Sequence, residues 1–158
     1  MLKSILFIAT LFFASCGTTT YYVVRHAEKA VPIANMTSDV PLSEEGRQRV
    51  EALKDVLSGR KIQHIYSTNT IRTTSTAKPL SEAIGVPIQL YDARDTAFVN
   101  RLKALPKGNV LIVGHSNTVD DLVNRLTNQQ LLTDLPETNY GDLFIIKKGK
   151  LTRSRFGK

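Results

Sequence analysis

Val110-Leu111-Ile112-Val113-Gly114-His115-Ser116-Asn117 is the stretch that decides the fold class. Its apolar run is too short for a helix and too continuous for a strand with one wet face. It describes a strand buried on both sides, as in a parallel sheet. Just beyond it, Val119, Leu122, Val123 and Leu126 recur at helical spacing on one face. The chain therefore passes from a buried strand to an amphipathic helix through a short turn that carries a histidine.

The same alternation repeats toward the N-terminus. Tyr21-Tyr22-Val23-Val24 reads as a buried strand. Ala30 to Leu42, with Pro32, Asn35, Ser38, Asp39 and Pro41, has the composition of a loop. Ser43 is placed to cap a helix whose first turn holds Glu44 and Glu45. Val50, Leu53, Val56 and Leu57 give that helix its apolar face, and Gly59 ends it. Ile62 to Tyr66 predicts a strand, Ile71 to Ile84 a helix closed by Gly85 and Pro87, Ile88 to Tyr91 a strand, and Thr96 to Leu105 a helix. Leu143 to Ile146 and Leu151 to Phe156 flank Lys147-Lys148-Gly149-Lys150 as a hairpin. Strand–helix alternation predicts an α/β single domain, its mostly parallel sheet covered by helices on both faces.

The 158 residues, 42% hydrophobic and 22% charged, suit one globular domain. A single cysteine excludes a disulfide framework, and no Cys/His cluster has zinc spacing. The net charge of +7 points to anionic partners. Nucleic acid is not expected among them. Trp is absent, aromatics are only 7%, and the basic stretch from Lys147 to Lys158 has neither interleaved aromatics nor a helix-turn-helix pattern.

Residues 1–15 have a short basic start, an apolar run from Ile5 to Ala14 and a small residue at the end, the pattern of a secretory signal peptide. Phe13-Ala14-Ser15-Cys16 resembles a bacterial lipobox, with Phe13 where Leu is usual. The expectation is a leader over 1–15 and a domain over 16–158. Lipidation of Cys16 would then hold the chain at a membrane of the cell envelope.

In open α/β sheets, ligands bind beyond the carboxyl ends of the strands. Here the first strand runs into Arg25-His26, the second is followed by Arg72, and the strand at 110–113 ends at Gly114-His115. Two of the three histidines thus stand at strand ends, whereas His64 lies inside a strand. Two guanidiniums and two imidazoles suit a phosphoryl dianion, because Arg offers a planar fork matched to phosphate oxygens. A neutral His is a competent nucleophile toward phosphorus. The cationic side chains supply the charge that a metal supplies elsewhere, so no cofactor is expected.

Val23-Val24-Arg25-His26-Ala27-Glu28 resembles the Arg-His-Gly signature of the histidine phosphatase, or phosphoglycerate-mutase-like, superfamily. Leu42-Ser43-Glu44-Glu45-Gly46 is similar to that family's Leu-Ser/Thr-x-x-Gly helix start. Ser67 through Arg72 to Thr76-Ala77 resembles its Ser-x-x-x-x-Arg-x-x-x-Thr-Ala segment, and Val113-Gly114-His115-Ser116 its second-histidine motif. The resemblance implies His26 as a nucleophile forming a phosphohistidine, with Arg25, Arg72 and His115 binding and polarising the phosphoryl group. Ala27 replaces the family's Gly, and Ser116 stands where some members carry an acidic proton donor.

Ser116 is either a phosphate donor or, with Asn117, a helix cap. Two acids remain as proton donors: Asp95, which otherwise only N-caps the next helix, and Glu28, otherwise one of a solvated loop pair with Lys29. The expected activity is phosphomonoester hydrolysis of a phosphorylated small molecule or phosphoprotein, the short chain leaving little material for a substrate cap. The alternatives are a non-catalytic phospho-ligand-binding lipoprotein, which turnover would separate, and a phosphomutase.

Overall fold

The computed structural model describes residues 18–32, 39–133 and 135–157; the leader and Cys16 lie outside the described residues. Chain order is β1 (Thr20–Arg25), α1 (Glu44–Leu57), β2 (Ile62–Thr68), α2 (Ile71–Ile84), β3 (Ile88–Tyr91), α3 (Phe98–Ala104), β4 (Asn109–Gly114), α4 (Ser116–Thr127), β5 (Asp142–Lys147) and β6 (Lys150–Arg155). They build one α/β domain around a six-stranded sheet of order β3-β2-β4-β1-β5-β6. The first four strands are mutually parallel, and β5 and β6 run antiparallel at one side.

The uninterrupted apolar runs of β1 and β4 are explained by cover on both faces. Val23, Val110 and Ile112 point to the face where Phe98, Val99 and Leu102 of α3 and Val119, Leu122, Val123 and Leu126 of α4 close the core. Tyr22, Val24, Leu111 and Val113 point the other way, to Leu53 and Leu57 of α1 and Ala77 and Leu80 of α2. Strand periodicity sends successive residues to opposite cores.

Every expected element forms, with shifts at the ends. Strand β2 runs two residues past Tyr66, because Ser67 pairs with Val113 and Thr68 with Tyr91. Helix α3 starts at Phe98 rather than Thr96, because the preceding residues are spent in turns: Asp92 Oδ1 takes the Arg94 N–H at 2.9 Å and Asp95 Oδ1 the Ala97 N–H at 2.8 Å. The hairpin turns through Lys148 and Gly149 at φ 52° and 72°, the left-handed pair that a two-residue connection needs.

The loop at 30–42 is closed at its neck by a bridge between Lys29 and Leu42. The Ala30 N–H bonds the Pro41 carbonyl at 2.8 Å, and the Ser43 N–H the Glu28 carbonyl at 2.9 Å. Ser43 caps α1 as expected, its Oγ accepting from the Gly46 N–H at 3.1 Å.

Candidate active site

All four parallel strands end on one edge, and β1 and β4 are neighbours there, Arg25 pairing in register with Gly114. The His26 N–H continues the ladder to the Gly114 carbonyl at 2.9 Å. This pairing fixes the backbone of His26 beside the turn that carries His115. The two imidazoles meet edge to face, with 5.5 Å between centroids and 66° between ring planes.

His26 is 4% exposed. Its Nδ1 lies 2.8 Å from the Ala27 carbonyl. A carbonyl only accepts, so Nδ1 carries the hydrogen and Nε2 the lone pair. Ala27 is fully buried, and its N–H donates to Thr76 Oγ1 at 2.9 Å, which ties the turn after His26 to α2.

Arg25 is equally buried. Its Nη1 donates to the Pro136 and Glu137 carbonyls, and its guanidinium lies 4.3 Å over the Tyr140 ring. The Arg25 Nε is buried with no hydrogen-bond partner among the described residues. Arg72, in the first turn of α2, is held by Asp39 at 3.3 Å, and the same carboxylate accepts the Ile71 N–H at 2.9 Å. Arg72 Nη2 lies 3.4 Å from His115 Nδ1, while His115 Nε2 lies 2.9 Å from Thr68 Oγ1.

Burial, then the nearby Arg25, Arg72 and His115, push the pKa of His26 down to about 3. Burial, then Arg72 and Arg25, push His115 down to about 4, against a smaller upward pull from Asp39. Burial also lowers Arg25, partly offset by Tyr140 and Glu137. Both imidazoles are neutral at pH 7. A site that is cationic through its guanidiniums and holds a neutral, lone-pair-bearing imidazole has the groups that oxyanion binding and nucleophilic attack require.

The structure brings Arg25, His26, Arg72 and His115 together, as expected from the strand ends. His64 sits at the other end of β2, level with Val110. The three remaining candidates stand elsewhere or act differently. Asp95 is not presented to the imidazoles: its carboxylate bonds Arg101 at 2.5 Å and the Ala97 N–H, and those bonds hold it below the usual carboxylate range, the opposite of what an acid needs. Glu28 is bound by Arg49 Nε at 2.8 Å and Nη2 at 2.6 Å against α1. Ser116 does not cap α4. It is the first helical residue, His115 holds the cap position, and the His115 N–H donates to Thr118 Oγ1 at 3.0 Å.

Asp39, Thr68 and Tyr140 are site residues that the sequence reading missed. Tyr140, whose ring is 6.0 Å from that of His26, arrives because β5 runs antiparallel to β1 and so begins at the edge where β1 ends. That pairing was the only sequence-level route to it. Among the described residues no cluster of three or more His, Cys, Asp or Glu could hold a metal ion. A cavity of about 470 Å³ opens beside His115, walled by Thr68, Asn69, Tyr91, Asp92 and Arg94.

No curated protein matches this chain in sequence. Among solved structures, the fold is similar to SixA from Agrobacterium tumefaciens, at TM-score 0.67 and 20% identity over 88% of this chain and 97% of that one. It is equally similar to the protein histidine phosphatase SixA complexed with tungstate, at TM-score 0.67 and 19% identity over 87% and 95%. A mycobacterial glucosyl-3-phosphoglycerate phosphatase aligns at TM-score 0.59 and 16% identity over 80% and 88%. At these identities the likeness is one of fold. In sequence, residues 21–94 match the family described as Histidine phosphatase superfamily (branch 1). The family match spans β1 to β3, residues 21–94 of the 158, and beyond it the likeness to these structures is one of fold.

Proposed function

We propose that this protein is a phosphomonoester hydrolase working through a phosphohistidine on His26. The observation that carries the reading is the Nδ1–H of His26 bound to the Ala27 carbonyl, which leaves Nε2 as the free lone pair beside His115 and the two arginines. Nε2 forms the N–P bond as the P–O bond to the alcohol breaks, and the leaving oxygen takes a proton from solvent water. Water then attacks phosphorus and releases a proton to solvent, the N–P bond breaks, and its electrons return to Nε2 as inorganic phosphate leaves. Arg25 and Arg72 neutralise the charge gathering on the transferring oxygens.

His26→Ala should lose about 10⁴-fold in turnover of p-nitrophenyl phosphate. Labelled substrate should leave an acid-labile, base-stable phosphoryl group on the wild type alone. A variant with undiminished turnover would overturn the assignment. No turnover by the wild type, with phosphate still bound, would instead favour a binding module.

A second reading concerns the leaving group. Asp95 and Glu28, the two acids expected to protonate it, are both committed to arginines. A phosphoramidate loses a nitrogen base that departs with less help from an acid than an alkoxide needs. We infer a phosphohistidine-bearing protein as a substrate class, in line with the name of the tungstate-bound neighbour. A phosphohistidine peptide should turn over at least tenfold faster than an alkyl phosphate. Equal rates would remove this reading.

We also propose that residues 1–15 export the chain and that Cys16 carries its lipid, from the sequence pattern alone. Cys16→Ser should abolish labelling by a fatty-acid analogue in a bacterial host. Labelling that persists would refute it.

A further inference from the structure

We propose that Thr68 is a positioning residue for His115: its hydroxyl accepts from Nε2–H and so holds a bare Nδ1 toward Arg72. Two neighbours of opposite character settle which nitrogen carries the hydrogen. A guanidinium has donors only, so the Arg72 Nη2 beside Nδ1 at 3.4 Å requires Nδ1 to be the acceptor. The hydrogen of the neutral ring then sits on Nε2, 2.9 Å from Thr68 Oγ1. The opposite tautomer would set two N–H groups head to head at Arg72.

The rest of the chain of hydroxyls agrees in direction. Thr68 Oγ1, having accepted from His115, donates its own hydrogen to Thr73 Oγ1 at 3.1 Å. Thr73 Oγ1 donates to the Thr68 carbonyl at 2.8 Å. Thr68 is 5% exposed and Thr73 fully buried, so water does not compete for these bonds. Thr68 closes β2 and Thr73 lies in the first turn of α2. The relay therefore ties the ring orientation of His115, on the β4–α4 turn, to the strand and helix that also carry Arg72. The two site histidines are thereby set oppositely, His26 with its hydrogen on Nδ1 and His115 with it on Nε2.

The functional consequence rests on the phosphatase reading, whereas the tautomer does not, and the test separates them. ¹⁵N-histidine-labelled protein at neutral pH should show His115, assigned by its loss in His115→Gln, as an Nε2–H imidazole. Thr68→Val, nearly isosteric, should mix the two tautomers and weaken binding of inorganic phosphate about tenfold, and Thr68→Ser should restore both. An Nδ1–H signal in the wild type would overturn the proposal without any variant. So would a Thr68→Val protein whose His115 tautomer and phosphate affinity are unchanged, or a Thr68→Ser protein that recovers neither. A wild type that fails to bind phosphate strikes the phosphatase reading, and the nitrogen spectra still decide the role of Thr68.

Discussion

His26 and His115 are neutral in the folded chain because burial costs the imidazolium its hydration and two guanidiniums repel the added charge. That has a consequence for stability. An unfolded histidine takes a proton below about pH 6.5, whereas these hold off until about 4 and about 3. Between those limits the unfolded chain binds more protons than the folded one, so stability falls as pH falls. The contribution is fully present above about 6.5 and is lost on the way down through the folded pKa values. Urea midpoints measured from pH 7 to pH 4 should decline in the wild type, and less steeply in His26→Gln, which lacks one of the two groups. Equal slopes would mean that His26 titrates normally in the folded state.

At the scale of the element, α1 shows how closely a helix must approach to frame the site. Gly46 lies in its first turn, and a Cβ there would stand 2.2 Å from the Glu28 carbonyl oxygen. That carbonyl is itself fixed by the Ser43 N–H. Alanine is the better helix former by about 1 kcal/mol, so propensity alone predicts that Gly46→Ala stabilises. The backbone contact reverses the sign. Gly46→Ala should cost about 2 kcal/mol by urea unfolding, with the loop after His26 displaced. An unchanged or raised midpoint would show that α1 can slide away from Glu28 freely. A similar constraint holds Glu28: its carboxylate clamps Arg49 of α1, which also reaches the Phe156 carbonyl at 3.0 Å and so joins helix, site turn and C-terminal strand end.

Across the whole molecule, the chain carries a net charge of +7, and the guanidiniums of Arg25 and Arg72 stand near the two site imidazoles. On the proposed reading, a phosphoryl dianion is the ligand such a field would steer, and salt screens steering over about 10 Å at 0.1 M. For an anionic aryl phosphate, kcat/KM should fall several-fold between about 20 and about 200 mM NaCl, with kcat scarcely moved. A salt-insensitive kcat/KM would confine the electrostatics to direct contacts within the pocket.

The sequence by itself determined the parts whose signals lie close together in the chain. Val110–Val113 and Val119–Leu126 announce strand and helix because periodicity is set by local backbone geometry. The edge that gathers Arg25, His26, Arg72 and His115 followed too, because parallel strands must all end on one side. The tertiary structure alone decided what surrounds them. Asp39 meets Arg72 across 33 positions, and Arg25 meets the Pro136 carbonyl across 111. Nothing local marks such partners, since an aspartate in a loop reads the same whether it faces water or a guanidinium. The same holds for Asp95 and Glu28, whose partners Arg101 and Arg49 are brought to them by the tertiary structure. Which carboxylate is free and which imidazole nitrogen is bare depend on neighbours brought in by sheet order and loop closure, and chain spacing carries no record of those.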